Sequence, residues 1–385
     1  MPTMNTETQT FVHISMAAAS DTGTVREENE DYFFFSRSHK FMVVCDGMGG
    51  HQKGARASRI AGETLRDLML ASEENGGPLL HGQRFDIGHA CKDLPEGMPF
   101  LAQKLVAGIR LANRHIVTAS LNGGDLRGMG TTLSAAAFHK GHIVIAHVGD
   151  SRVYRLRNGQ LAALTTDHSW LNELIEDNEI TEEQVQTFRQ KNVLTRALGT
   201  APTIKVDLTI DRVQPDDLYL ICTDGLHNAL SDELIQSILC AYHGSLENKI
   251  ANLVKSAKLM DGGDNITGGL IHISGVWQPS ASGGPKKLTV NDESAEVTSY
   301  LDHFLKNLFR GQNGRRRWRA GIVAFVILLA TLLALGTLLL YRTATSAATS
   351  RASSRQVVRP ANHRSPPATQ PNAQKLIANT HEERR

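Results

Sequence analysis

Apolar residues along this chain fall into two spacings. Short, nearly continuous runs at 41–44, 143–148 and 219–221 predict buried strands, and each stops at an acid: Asp46, Asp150 and Asp224. Helical spacing marks 55–70 and 101–119, with shorter helices expected at 234–239 and 250–258. The stretch 142–165 identifies the sheet type. An apolar run ends in Gly149-Asp150-Ser151, residues 153–156 alternate, and Asn158-Gly159 is a hairpin signal before the pattern returns at 161–164. Strands joined by tight turns pair antiparallel, because parallel neighbours need a long crossover. Runs of strands separated from runs of helices predict an α+β fold, an antiparallel sheet core covered by helices.

The pattern also divides the chain. Residues 1–11 are polar and expected to be disordered, and 12–276 carry the patterned domain. Residues 72–99, rich in Gly, Pro, His and charge, read as an inserted loop. A linker is expected over 277–319, where 277–294 is rich in Ser, Gly, Pro and Lys. Within it, Val297, Tyr300, Leu301, Phe304, Leu305, Leu308 and Phe309 form one stripe of a helix at 296–310. That stripe suits a membrane interface, or packing on the domain or a partner. No charge interrupts 321–341, which at about 1.5 Å per residue crosses a bilayer core of about 30 Å. A single transmembrane helix is therefore expected at 320–341, flanked by Trp318 and Tyr341. The cluster Arg315-Arg316-Arg317-Trp318-Arg319 favours residues 1–319 in the cytoplasm and the tail, an unstructured 342–385, outside.

Composition narrows the chemistry. Of 385 residues, 41% are hydrophobic, enough for a sizeable core. A net charge of +2 gives no general argument for nucleic acid as a partner. Cys45, Cys91, Cys222 and Cys240 lack CxxC spacing and read as reduced thiols. The N-terminus shows no basic stretch followed by an apolar one, so no signal peptide is expected.

The acids are the informative residues. A carboxylate at the end of a buried strand is costly to desolvate and persists when paired or bound to a cation. Asp46-Gly47, Asp224-Gly225, Asn29-Glu30-Asp31 and Gly263-Asp264-Asn265 each read alone as a turn, cap or loop. Their recurrence at strand ends does not. Every candidate ligand is an oxygen donor and no His/Cys set has zinc spacing, so the expected cations are Mg²⁺ or Mn²⁺. Two such ions bridged by one carboxylate hold a hydroxide and polarise a phosphoryl group. Arg26, four residues before Glu30, is the candidate to orient the phosphate. Cys45 and Cys222 are not followed by a phosphate-cradling loop ending in arginine, which argues against thiolate chemistry.

Taken in order, Arg-Glu-Glu-Asn-Glu-Asp (26–31), Asp-Gly-Met-Gly-Gly-His (46–51), Gly-Met-Gly-Thr-Thr (128–132), Gly-Asp-Ser-Arg (149–152), Thr-Asp-His-Ser (166–169), Asn-Val-Leu-Thr-Arg-Ala-Leu-Gly (192–199), Thr-Asp-Gly-Leu (223–226) and Gly-Asp-Asn-Ile-Thr (263–267) closely resemble the bacterial metal-dependent serine/threonine phosphatases of the PPM, or type 2C, family. The resemblance implies a four-layer α-β-β-α sandwich of two antiparallel sheets, with a binuclear centre at one end. It implies that Asp46 bridges both metals and that the Gly47 carbonyl is a ligand. Asp224 and Asp264 complete one metal's shell and Glu30 serves the other. Asp150, with Asp224, matches a third metal position. Asp31 and Asn265 stand behind the ligands, and Arg26 binds the substrate phosphate. Residues 166–200 correspond to a mobile flap.

Two departures stand out. Met48 follows Asp46-Gly47 where eukaryotic members carry a histidine proposed as the general acid, leaving His51 and His227 as weak candidates. The flap reads Asp177-Asn178-Glu179-Ile180-Thr181, without its usual glycine. The resemblance implies phosphoprotein substrates and a serine/threonine kinase as the opposing partner. Alternatives are a phosphatase-fold regulator dedicated to one signalling partner and a non-catalytic pseudophosphatase. The second would have lost a ligand or the arginine.

Overall fold

Burial on both faces explains the continuous apolar runs. Strands β1 (His13–Asp21), β2 (Tyr32–Ser36) and β3 (Phe41–Cys45) open the chain. After β3 comes the short β4 (Gly47–Met48), then helix α1 (Gln52–Leu70). Next are β5 (Glu73–Glu74), β6 (Gly77–Leu80), β7 (Gln83–Arg84), α2 (Ile87–Ala90) and α3 (Phe100–Asn122). The central strands are β8 (Gly130–Thr131), β9 (Leu133–His139), β10 (His142–Val148), β11 (Arg152–Arg157) and β12 (Gln160–Ala163). Then follow α4 (Trp170–Glu176), β13 (Val206–Arg212) and β14 (Leu218–Cys222). The last elements are α5 (Asp224–His227), α6 (Asp232–Ala241), α7 (Leu246–Met260), β15 (Ile266–Ser274), β16 (Lys286–Val290) and α8 (Ala295–Arg310). This computed structural model describes residues 13–310 apart from 51, 75–76, 178, 181–183, 185–192, 242–243, 275–283 and 293–294.

The strands form a five-stranded sheet, β1-β15-β14-β11-β12, and a six-stranded sheet, β16-β13-β10-β9-β3-β2, with antiparallel pairing throughout. Alternate residues of one strand serve different layers, because successive side chains point to opposite faces. Met42 and Val44 pack between the sheets with Ile145, Val153, Tyr219 and Ile271. Phe41, Val43 and Cys45 face outward to Leu65 and Leu68 of α1 and Leu105 and Ile109 of α3. On the far side Leu220 and Cys222 pack on Leu226, Ile250 and Leu253. The layers are therefore helix, sheet, sheet, helix, as the resemblance implied.

Two expectations are corrected. Residues 72–99 are not a plain loop: they hold the three-stranded sheet β5-β6-β7 and α2. Residues 286–290 are not linker: they form β16, paired with β13 from Lys286↔Ile210 to Val290↔Val206. The backbone completes a sheet edge there although little of the strand is buried.

The helix expected at 296–310 is α8, and its apolar stripe packs on the domain. Val297, Leu301, Phe304 and Leu305 are buried with Phe85. The Phe304 and Phe85 rings meet edge-on at 5.0 Å. The Asp86 amide donates to Tyr300 Oη at 2.7 Å, and Arg114 pairs with Asp302. Fully buried Arg110 grips Asp93 through its two terminal guanidinium nitrogens, Nη1 and Nη2, at 2.8 and 2.7 Å and donates to the Asn291 carbonyl. Among the described residues no helix is long and apolar enough to cross a membrane. The expected span at 320–341, residues 1–11, and the tail lie outside the described residues.

Candidate metal centre

The strand registers bring the acids to one end of the sandwich. Asp46 follows β3 and Glu30-Asp31 precede β2, and these strands pair with Tyr32 opposite Cys45. Asp224 follows β14 and Asp264 precedes β15, which pair with Cys222 opposite Gly268. Asp150 follows β10. An antiparallel sheet places the end of one strand beside the start of its neighbour, so acids distant in sequence share one rim.

That rim encloses a cavity of about 490 Å³ lined by Arg26, Glu30, Asp46, Gly47, Met48, Asp150, Asp224, Asp264 and Asn265, among others. Asp31 lies behind the lining. Its Oδ2 accepts from Thr223 Oγ1 at 3.0 Å, and its Oδ1 is buried with no hydrogen-bond partner. Asn265 organises the backbone: its Oδ1 accepts the Glu30 amide at 2.8 Å, and its Nδ2 donates to the Thr22 and Glu28 carbonyls. Arg26 Nη2 pairs with Asp264 Oδ2 at 2.8 Å.

Neighbours that spacing alone did not single out complete the frame. The Asp46 amide donates to Thr132 Oγ1 at 2.9 Å, while the Thr132 amide and the Thr131 hydroxyl donate to the Asp46 carbonyl. Gly54 in α1 is required by close approach, since a Cβ there would stand 2.6 Å from the Gly47 carbonyl oxygen. Arg196, Thr195, Leu194 and Ala197 form a further wall. Arg196 is the one arginine of the 192–199 motif, a signal that could have marked it.

The electrostatics are those of crowded anions. Burial, then repulsion from Asp31, Asp224 and Asp150, pushes Asp46 well above the usual carboxylate range. Burial raises Asp31 to about 7 against hydrogen bonds from Thr267 and Thr223, with Asp224 and Asp264 adding to the rise. Burial and then Asp224 raise Asp150 to about 7. Asp224 is raised by burial and by Asp264. Among the described residues no three acidic, imidazole or thiol groups close around one point. Instead Arg26 takes an oxygen of Asp264, one way crowded carboxyls relieve repulsion without added cations. An all-oxygen donor set with an orphaned buried carboxylate oxygen fits hard divalent cations.

Other candidates fall away. Cys45 and Cys222 are buried and their thiols are pushed upward by burial, the opposite of a nucleophilic thiolate. His227 is buried, its Nε2 donates to the Asp150 carbonyl at 3.0 Å, and burial pushes it down to about 4. His51 lies outside the described residues, as do 178, 181–183 and 185–192 of the expected flap. The described part of the flap includes α4, capped by Ser169.

Comparison with known proteins agrees with the geometry. Residues 24–259 match the family described as Protein phosphatase 2C. The chain is similar to a serine/threonine phosphatase, stp, of Listeria welshimeri, 36% identical over 251 residues, 64% of this chain and 91% of that protein. It is also similar to the serine/threonine protein phosphatase PstP of Mycobacterium tuberculosis, 31% identical over 339 residues, 85% of this chain and 60% of that protein. A crystal structure of the Mycobacterium tuberculosis phosphatase superposes with a TM-score of 0.57 at 31% identity, over 69% of this chain and all of that one. A crystal structure of a PstP catalytic domain with two manganese ions gives 0.55, also at 31% identity, over 69% of this chain and all of that one.

Proposed function

The chain belongs to the protein phosphatase 2C family, and on that premise we propose that it hydrolyses phosphoserine and phosphothreonine in proteins while tethered to a membrane. One observation carries the chemistry. Asp31, Asp46, Asp150 and Asp224 crowd together with carboxyls displaced upward, and Arg26 stands on the same cavity. Such a cluster is stable when cations neutralise it.

Glu30, Asp46, the Gly47 carbonyl, Asp224 and Asp264 would hold two Mn²⁺ or Mg²⁺ ions, with Asp150 and Asp224 at a third position. When bound, these ions supply Lewis-acid polarisation of the phosphoryl group and an activated water as nucleophile. The protein's own groups do the rest. Arg26 presents a planar fork suited to two phosphate oxygens and so orients the ester. Thr132 and Asn265 hold the backbone of Asp46 and Glu30 so that their carboxyls need not reorganise. Met48 carries no transferable proton. His227, neutral at pH 7 with its N–H spent on Asp150, keeps that turn in place rather than serving as an acid.

Purified full chain should hydrolyse p-nitrophenyl phosphate and a phosphothreonine peptide in Mn²⁺ and fall silent in excess chelator. Activity that survives metal removal overturns the reading. The tether rests on the uncharged run 321–341 and the arginine cluster 315–319, which favour a cytoplasmic catalytic domain. A reporter fused after Arg385 should report an extracytoplasmic position; a cytoplasmic signal reverses or removes the span. A serine/threonine kinase acting on the same targets is the partner such an activity opposes.

A further inference from the structure

Asp207 on β13 sits beside the cavity without lining it. Its cross-strand neighbours are His147 on β10 and Thr289 on β16, and side chains of directly opposed residues share a face. Asp207 Oδ1 accepts from Thr289 Oγ1 at 2.8 Å and from Arg196 Nη1 at 3.0 Å. Asp207 Oδ2 lies 3.1 Å from His168 Nε2. His168 Nδ1 accepts the Gly149 amide at 3.0 Å, which assigns the neutral ring's proton to Nε2, the donor to Asp207. Arg196 Nη1 and His168 Nε2 are both donors and stand 3.1 Å apart, a crowding that a shared anion compensates. Asp207 supplies that anion. Burial would raise its carboxyl, but His168, Thr289 and Arg196 hold it well below the usual range.

Asp207 therefore joins two parts of the site. Through Arg196 it reaches the cavity wall made by 194–197. Through His168, whose amide also donates to the Gly149 carbonyl at 2.7 Å, it reaches the turn bearing Asp150. The third partner, Thr289, comes from β16, beyond the family match at 24–259 and on the segment that leads to α8 and the arginine cluster. Arg26 and Arg196 are the cations among the described lining residues, and the proposed reaction already assigns Arg26 to the phosphate.

We propose that Asp207 and Thr289 are positioning residues that hold Arg196 toward the phosphoprotein chain, so that edge strand β16 sets how tightly protein substrates bind. The inference rests on the phosphatase reading and concerns the peptide around the phosphate. A small aryl phosphate carries no chain to reach that wall, so it reports the metal chemistry alone. Restraining an arginine before binding reduces the ordering that binding requires.

The test compares steady-state kinetics of the full chain in Mn²⁺ on a phosphothreonine peptide and on p-nitrophenyl phosphate. Thr289→Val keeps the shape and removes the donor. It should raise KM for the peptide about fivefold, the weight of one exposed hydrogen bond, and leave both parameters for the aryl phosphate within about twofold. Thr289→Ser should restore the peptide KM. Asp207→Asn should act in the same direction and further, about twentyfold, because its bonds are charge-assisted. An unchanged peptide KM in both variants overturns the proposal. So do equal losses on both substrates, which mark a role in folding alone. Wild-type protein inert toward both substrates in Mn²⁺ overturns the phosphatase reading beneath it.

Discussion

At the scale of single residues, this site is built from side chains that repel one another. Asp46 is the sharpest case, hemmed in by Asp31, Asp150 and Asp224. Asp46→Asn should lower turnover by about 10³-fold, the scale of removing a group that acts on transition-state charge. It also removes one of the crowded charges, so the metal-free variant should unfold at a temperature equal to or above that of wild type. A thermal scan in chelator with a p-nitrophenyl phosphate assay checks both halves; near-normal turnover would sink the two-metal scheme. These acids were legible in the sequence because an ionised group at the end of an apolar run stands out against its surroundings. Gly54 and Asp207 were not. Each is an ordinary residue by composition, and its role depends on a partner outside its own element: Gly47 and Thr289 respectively.

At the scale of elements, the C-terminal strap is the main difference between pattern and structure. The α8 stripe was visible by its helical spacing, and its partner was not. Phe304 sits buried against Phe85, which lies in the stretch expected to be a loop. Phe304→Ala should destabilise the domain by about 3–5 kcal/mol, the usual cost of deleting a buried ring, read from the midpoint of urea unfolding. A change under about 1 kcal/mol would mean that α8 is loosely attached. Strand β16 escaped notice for a physical reason. Among its residues Val290 is buried while Lys286, Lys287, Leu288 and Thr289 are exposed, so an edge strand with one buried position leaves no periodic signal. The helices α1, α3, α6 and α7 were read within a few residues because each buries a continuous stripe.

Acid sensitivity belongs to the whole molecule. His147 is fully enclosed between the sheets, and burial, with the neighbouring His168, pushes it down to about 3. An unfolded histidine titrates near about 6.5. Below that value the unfolded chain takes up a proton that the folded chain refuses. Stability present at neutral pH is therefore lost as pH falls from about 6.5 toward about 3. His147→Asn should flatten the fall in unfolding free energy between about pH 6 and pH 4, by up to about 1.4 kcal/mol per pH unit. Denaturant titrations at several pH values give the two slopes, and equal slopes would mean that His147 carries none of the acid lability.

Two kinds of information separate in this protein. Residue spacing alone determined which segments bury one face, where acids end strands, and which turn joins β11 to β12. Those are local properties, read from the chemistry of neighbours in the chain. Tertiary structure decided which acids face a common cavity, that α8 closes over the insertion instead of standing apart, and that a threonine from the edge strand reaches the carboxylate holding Arg196. Such contacts join residues tens to hundreds of positions apart, and only sheet register and layer packing bring them within hydrogen-bonding distance.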